Sequence, residues 1–97
     1  MTETVALEGE LDFGTAFDVE MRLEEAIRRA DHVVVDLRGL SFIDSTGLGT
    51  LIEAHNRARR EEVRLELIQG PPAVQQVFAV SGLLSELPFA DDSVSGR

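Results

Sequence analysis

The residues best suited to chemistry form the run Asp-Ser-Thr-Gly at positions 44–47, directly ahead of a segment with helical periodicity. A serine at a helix start has its hydroxyl beside backbone N–H groups that lack partners within the helix. A phosphate on Ser45 would lie at the positive end of that helix, which is a natural anion site. Capping of the helix by Asp44 or Ser45 explains the same residues and is the commoner use of such a pair. The spacing alone therefore favours a structural cap and permits a phosphorylation site.

Two glycines, Gly47 and Gly49, fall in the first turns of the same helical segment. Each glycine in a helix interior costs about 1 kcal/mol of stability relative to alanine, so both glycines need a reason. The structural explanation is tight packing of the helix start against a sheet, or a permissive turn before the helix settles. The other explanation is close approach of another protein's backbone. The sequence leaves both explanations open.

The side chains required for catalysis do not occur in a workable arrangement. His32 opens an apolar strand and His55 lies on or beside the apolar stripe of a helix, so both are expected to be structural. Ten helical residues place His55 about 15 Å from Ser45 along the helix axis, beyond the reach of a general base. No Lys-Ser or Lys-Thr pair follows the two glycines, so they do not form a Walker loop. We therefore expect a binding protein without cofactor or metal, and not an enzyme.

Three segments have the composition and alternation of β-strands, and they are residues 4–11, 32–37 and 63–68. The middle segment is a continuous β-branched run, typical of a central strand that is covered on both faces in a parallel sheet. A turn is expected around Arg38 and Gly39. Residues 83–89 are expected to form a last turn or a short strand.

Helical periodicity occurs in three further segments, which begin at Thr15 as an N-cap, at residues 44–45, and after Pro72. The second is expected to end near Arg59 and Arg60. Strands separated by helices of this length call for parallel crossovers. The predicted fold class is α/β, a single domain over residues 1–90 with a small, mixed or mostly parallel sheet and helices packed against it. Residues 91–97 are expected to form a polar, flexible tail.

In open sheets of this kind, sites form outside the carboxyl ends of the strands. We expect Asp12, the segment at 36–39, Asp44 and Ser45 to lie along that edge. Asp12, Asp36 and Asp44 are interpreted as an acidic rim, with a magnesium site as the alternative. The rim would repel a phosphate, which adds about 1.5 to 2 negative charges.

The composition restricts the partners and the setting of the chain. Its 97 residues make one domain, and 43% hydrophobic and 28% charged residues are typical of a soluble globular protein. The formal charge of −9 disfavours direct binding to nucleic acid or to an anionic membrane surface. The chain has no cysteine, no run long enough to cross a bilayer, and acidic residues where a signal peptide would be basic. We expect a cytoplasmic protein without membrane insertion.

Four segments of the chain resemble the STAS domains of bacterial anti-sigma factor antagonists. They are Gly-Glu-Leu-Asp at 9–12, Val-Val-Val-Asp-Leu at 33–37, Phe-Ile-Asp-Ser-Thr-Gly-Leu-Gly at 42–49, and Phe-Ala-Val-Ser-Gly-Leu at 78–83. The third is fairly specific in this form, whereas the first and last would be weak alone. Their order and spacing cover most of the chain.

The resemblance implies a partner switch that controls transcription. The unmodified antagonist binds an anti-sigma factor that is also a serine/threonine kinase of the GHKL ATPase type, and a sigma factor is freed. Phosphorylation by the kinase releases the antagonist, and a PP2C-type phosphatase resets it. In this sequence the phosphate would go on Ser45, with Thr46 as the fallback, and Asp12 and Asp44 match the flanking carboxylates. The expected partner-binding residues are Asp12, Asp44, Ser45, Thr46, Gly47, Leu48 and Gly49.

One departure from the family concerns the N-terminus. Only eleven residues precede Asp12, whereas the family usually has a further strand, so the first strand is expected to be short or missing. An exposed edge strand could pair with a second copy of the chain and form a homodimer. Two other functions stay open: a constitutive STAS subunit of a lipid-transport ATPase or another regulatory complex, and a ligand or nucleotide sensor.

Overall fold

The computed structural model describes residues 1–90, and the flexible tail predicted for residues 91–97 lies outside the described residues. Three strands alternate with three helices along the chain. The elements are β1 (Thr2–Leu11), α1 (Ala16–Arg29), β2 (His32–Ile43), α2 (Ser45–Arg60), β3 (Arg64–Ile68) and α3 (Pro72–Val80). The predicted order of elements and the α/β fold class are confirmed.

The strands form one sheet in the order β1-β2-β3, and within residues 1–90 both strand pairings are parallel. Beyond β3, a single bridge pairs Leu67 with Phe89. The Leu67 N–H donates to the Pro88 carbonyl at 3.0 Å, and the Ala90 N–H donates to the Leu67 carbonyl at 2.8 Å. The last described residues therefore lie alongside β3 and extend the sheet by one isolated bridge.

The turn predicted around Arg38 and Gly39 is wrong, because β2 runs through both residues to Ile43. Gly39 lies opposite Glu8 of β1, next to an irregularity in the register. A Cβ at this position would lie 2.9 Å from both the Leu7 carbonyl oxygen and the Glu8 side chain. Glycine at this position permits close approach of two strands. In the sequence, such a glycine looks the same as a glycine in a turn.

The prediction that β2 is covered on both faces is also wrong. Val33, Val35 and Leu37 are fully buried, whereas the alternating Val34 and Asp36 are partly exposed. A valine run suits a half-exposed strand as well as a buried one, so it could not identify the covered face.

All three helices pack against a single face of the sheet. Buried side chains from each of α1, α2 and α3 belong to one hydrophobic cluster with Val35 and Leu67. In α3, the Phe78 ring meets the Phe89 ring edge-on, with centroids 5.1 Å apart. The opposite face carries polar pairs such as His32 Nε2 and Glu66 Oε1, which are 2.8 Å apart. The domain therefore has one core, and it lies between the helices and the sheet.

Within residues 1–90, β1 forms one edge of the sheet. The Arg22 guanidinium of α1 donates to the Ala6 carbonyl at 3.0 Å, and Arg29 donates to Glu3 at 2.8 Å. Side chains of α1 thus cover part of this edge and satisfy one of its carbonyl groups. Among the helices of residues 1–90, none combines the length and the apolar character required to span a bilayer.

Candidate functional site

The candidate site lies at the carboxyl ends of β1 and β2. Leu11 and Ile43, the last residues of these strands, are register partners, and the Asp44 N–H donates to the Leu11 carbonyl at 3.2 Å. The parallel pairing therefore places Asp12 and Asp44 at the same edge, as the sequence predicts. The loop from β1 to α1 and the start of α2 form this edge together.

Asp44 is the N-cap of α2 and also holds the neighbouring loop. Its Oδ1 accepts a hydrogen bond from the Gly47 N–H at 2.9 Å, and its Oδ2 accepts one from the Phe13 N–H at 3.2 Å. One carboxylate thus satisfies a free amide of the helix and joins two loops that are thirty-one residues apart. Ser45 is consequently the first residue of the helix and not its cap.

Asp12 organises the loop between β1 and α1. Its Oδ1 accepts hydrogen bonds from the backbone N–H groups of Gly14 and Thr15, at 2.9 and 3.1 Å. Thr15 occupies the predicted N-cap position of α1, but its side chain does not cap the helix. The Thr15 hydroxyl donates to the Glu10 carbonyl at 2.7 Å instead, and so closes the loop onto β1. These bonds restrict the conformations available to the loop.

Asp36 does not lie at this edge, and the predicted acidic rim is wrong in that respect. Because β2 continues to Ile43, Asp36 is seven residues from the strand end, or roughly 20 Å away at the rise of a β-strand. Its carboxylate binds the Arg38 guanidinium through two contacts of 3.0 Å. The hydrogen bonds from the Arg38 side chain and backbone hold the pKa of Asp36 below its ordinary value. Across residues 1–90, no three acidic or histidine side chains are grouped to hold a metal ion.

Ser45 and Thr46 are both exposed in the first turn of α2. Within the described part of the chain, the Ser45 hydroxyl has no hydrogen-bond partner. The backbone carbonyl of Thr46 accepts a hydrogen bond from the Thr50 hydroxyl at 3.1 Å. The first amides of a helix have no carbonyl partner within it and carry its partial positive charge. The Ser45 oxygen is therefore open to solvent beside donors that favour an anion.

The two glycines of this helix have different surroundings. A Cβ at Gly47 would lie 2.5 Å from the Leu11 carbonyl oxygen and 2.8 Å from the Leu11 side chain. Gly49 is exposed, and a Cβ there would meet no atom within 4 Å. Tight packing of the helix start against the sheet therefore explains Gly47. The open surface at Gly49 is compatible with approach by another protein.

Leu48 is buried in the core with only 7% of its surface exposed, and Gly47 is buried as well. Neither residue offers a surface that a rigidly docked partner could touch. If this edge binds a partner, Gly47 and Leu48 position the helix start, and the neighbouring exposed residues make the contacts.

Leu48→Asp is expected to unfold the domain, because it places an unpaired carboxylate in the core. The expected loss in the free energy of unfolding is about 4 kcal/mol or more. Gly49→Asp is the matched control, since it adds the same group one residue later at an exposed position near the positive helix end. Circular dichroism during urea unfolding measures both. Equal stability of the two variants would contradict the assigned orientation of α2.

His55 lies in the fourth turn of α2, half-buried in a groove between this helix and the segment 83–87. Burial, and secondarily the positive charge of Arg59, lowers the pKa of His55 below its ordinary value. His55 is therefore a neutral packing residue at neutral pH, as its place in the sequence predicts.

The lowered pKa of His55 makes folding dependent on pH. The unfolded chain binds a proton near the ordinary pKa of about 6.5, whereas the folded chain binds it only at lower pH. The contribution to stability is full above the unfolded pKa and decreases as the pH falls from there toward the folded pKa. We expect His55→Gln to reduce the slope of unfolding free energy against pH in this window. The same slope in parent and variant, measured by urea unfolding, would contradict this assignment.

Two exposed aromatic residues lie in and just after the loop between β1 and α1, and neither is among the residues that the sequence predicts to bind a partner. Phe13, in the loop held by Asp44, is 83% exposed, and Phe17, in the first turn of α1, is 69% exposed. The sequence contains one indication of this exposure, because Phe17 falls outside the apolar stripe formed by Ala16, Val19 and Leu23. Both rings are therefore presented to solvent, and the Phe13 backbone is joined to Asp44, the residue directly before Ser45.

Comparison with known proteins assigns the family. The family model described as STAS domain matches residues 3–95, which is nearly the whole chain. The chain belongs to the STAS domain family. The resemblance seen in the segments at 9–12, 33–37, 42–49 and 78–83 is thereby confirmed.

Individual relatives of this STAS chain agree with the family assignment. The anti-sigma F factor antagonist of Paenibacillus polymyxa is 33% identical over 93 residues, which cover 94% of this chain and 80% of that protein. The solved structure of the anti-sigma factor antagonist SpoIIAA in its unphosphorylated form has a TM-score of 0.73 and 27% identity, covering 97% of this chain and 88% of that one. An anti-sigma factor antagonist from Mycobacterium paratuberculosis shares the fold, with a TM-score of 0.80, 24% identity and coverage of 96% and 82%.

Proposed function

We propose that this STAS protein is an anti-sigma factor antagonist that is switched by phosphorylation of Ser45. The unmodified chain binds an anti-sigma factor with serine kinase activity and so frees a sigma factor. Phosphorylation of Ser45 ends this binding, and a PP2C-type phosphatase restores it. The chain itself catalyses nothing and acts in the cytoplasm. The observation that carries the proposal is the exposed Ser45 hydroxyl at the start of α2 in a chain of this family.

The position of Ser45 supports a charge switch on electrostatic grounds. A phosphate there would be stabilised by the partial positive charge of the helix start, so the fold would tolerate it. The carboxylates of Asp12 and Asp44 are held nearby by backbone hydrogen bonds and cannot easily turn away. The added charge would therefore alter the outer surface more than the interior. Thr46 is exposed in the same turn and remains the fallback acceptor.

The relatives support the choice of this function. The Paenibacillus polymyxa relative bears the name anti-sigma F factor antagonist, and SpoIIAA is described in an unphosphorylated form. The proposed partner surface consists of Asp12, Asp44, Ser45, Thr46 and Gly49, positioned by the buried Gly47 and Leu48. A homodimer through the β1 edge is not needed for this function, and Arg22 occupies part of that edge.

A phosphorylation assay with site-specific variants tests the proposal. The chain is incubated with ATP, Mg²⁺ and, one at a time, each purified anti-sigma factor kinase encoded in the same genome. Tandem mass spectrometry then locates the phosphate. We expect a single phosphate on Ser45, none in Ser45→Ala, and an unchanged yield in Thr46→Ala. If kinases that are active on another antagonist leave this chain unmodified, a constitutive STAS subunit is the better description.

A further inference from the structure

Phe13, in the loop after β1, and Phe17, in the first turn of α1, are two exposed aromatic residues, here called the aromatic patch. Their exposed fractions of 83% and 69% show that neither ring contributes to the core. The Phe13 N–H donates to Asp44, the residue directly before Ser45. Phe17 follows four residues later, in the first turn of α1. A hydrogen bond therefore joins the loop that carries Phe13 to the start of α2 that carries Ser45.

The loop that carries Phe13, directly ahead of the helix that carries Phe17, is held by several hydrogen bonds. Asp44, Asp12 and Thr15 together fix the backbone of residues 12–15 through contacts between 2.7 and 3.2 Å. Ordering a flexible loop on binding reduces affinity, whereas a loop that is already ordered avoids that loss. A large aromatic side chain presented in this way is well suited to fill a pocket on another protein.

The charges around the patch restrict what can bind there. Segments 8–20 and 41–53 contain seven acidic residues and no lysine or arginine. The acidic residues are Glu8, Glu10, Asp12, Asp18, Glu20, Asp44 and Glu53. Arg22 lies midway along α1 and donates to the Ala6 carbonyl at the β1 edge, and the other arginines of α1 and α2 lie in the last turns of these helices. Charge complementarity therefore requires a basic rim on the partner.

The same charges argue against two other occupants. An anionic membrane surface would repel this end of the molecule, although exposed phenylalanines alone would suit a bilayer interface. A second copy docked patch to patch would bring two acidic ends together. An apolar pocket bordered by lysine or arginine meets both the aromatic and the electrostatic requirement.

Building on the proposed function, we propose that Phe13 and Phe17 dock the unphosphorylated chain into an apolar, basic-rimmed pocket of its anti-sigma factor. The two rings supply most of the apolar contact at this end and thereby determine which anti-sigma factor is bound. The acidic residues around them accelerate the encounter, so the association rate falls as the salt concentration rises. Phosphorylation of Ser45 then adds negative charge to the helix start that Asp44 joins to the Phe13 loop.

Calorimetry and stopped-flow mixing test this inference with the same purified anti-sigma factors. Phe13→Ala, Phe17→Ala and the double variant are compared with Val80→Ala, a control whose side chain is 76% exposed at the end of α3. We expect the double variant to bind at least about 30-fold more weakly, as for central aromatic residues of other interfaces. Val80→Ala should stay within about twofold of the parent, as for residues outside an interface. Circular dichroism confirms that all variants fold.

Including Ser45→Glu in the same series separates the two proposals. If Ser45→Glu weakens binding and the phenylalanine variants do not, the aromatic patch has no docking role and the proposed function stands. If the phenylalanine variants weaken binding and Ser45→Glu does not, the patch is supported and the phosphate switch is wrong. If no anti-sigma factor binds the parent chain, both the proposed function and the docking role of the aromatic patch are wrong. Uptake by phosphatidylcholine vesicles, or self-association that the double variant abolishes, overturns the inference.

Discussion

Ser45→Glu is expected to weaken binding of the anti-sigma factor by about 100-fold, because like charges brought together at an interface cost several kcal/mol. The free energy of unfolding should stay within about 0.5 kcal/mol of the parent, since the residue is exposed and the helix start favours a negative charge. Isothermal calorimetry measures the affinity, and urea unfolding measures the stability. The combination of lost binding and retained stability is what a charge switch at this hydroxyl requires.

Ser45→Gln is the matched control for this experiment. Glutamine has nearly the shape of glutamate without its charge, so it separates electrostatic repulsion from simple crowding. We expect Ser45→Gln to bind much more tightly than Ser45→Glu, and Ser45→Ala to bind like the parent while resisting phosphorylation. Equally weak binding of the glutamine and glutamate variants would show that size, and not charge, governs the surface. Parent-like binding by Ser45→Glu would contradict the switch itself.

Gly47→Ala and Gly49→Ala are expected to change stability in opposite directions, although the two glycines are two residues apart in one helix. The methyl group at position 47 would lie 2.5 Å from the Leu11 carbonyl oxygen, so α2 must move away from β1. Overpacking of this kind costs roughly 2 to 3 kcal/mol. A Cβ at position 49 would meet no atom within 4 Å. Gly49→Ala should therefore gain up to about 1 kcal/mol from its higher helix propensity.

Urea unfolding at a fixed pH measures the stability of both glycine variants through the midpoint urea concentration. An unchanged slope of the unfolding free energy against urea concentration shows that the same unfolding transition is compared. A stable Gly47→Ala variant would mean that the helix start is not packed against β1 as described. Binding by Gly49→Ala gives further information. A gain in stability combined with weaker binding would support close approach of a partner at Gly49, whereas parent-like binding would assign that glycine no role in recognition.

Local patterns predicted the helices well and the sheet less well. The apolar stripe of α1 and the flanking residues of α3 placed these helices within about two residues, because helical periodicity and caps are local signals. The turn predicted at Gly39 is wrong, since a glycine that admits a neighbouring strand looks the same in the sequence as a glycine in a turn. That error shortened β2 and brought Asp36 to the wrong end of the sheet. The valine run likewise gave no information on which face of β2 is covered.

The sequence by itself determined the order of strands and helices, the family, and the place of Ser45 at the start of a helix. Each of these depends on residues that are close in the chain, so periodicity and motifs suffice to find them. Only the tertiary structure decided that Asp44 caps α2 while binding the Phe13 amide, that Leu11 excludes a side chain at Gly47, and that Phe13 and Phe17 remain exposed. These facts depend on contacts between segments about thirty residues apart, and such distances follow from strand register and helix packing, which no local pattern encodes.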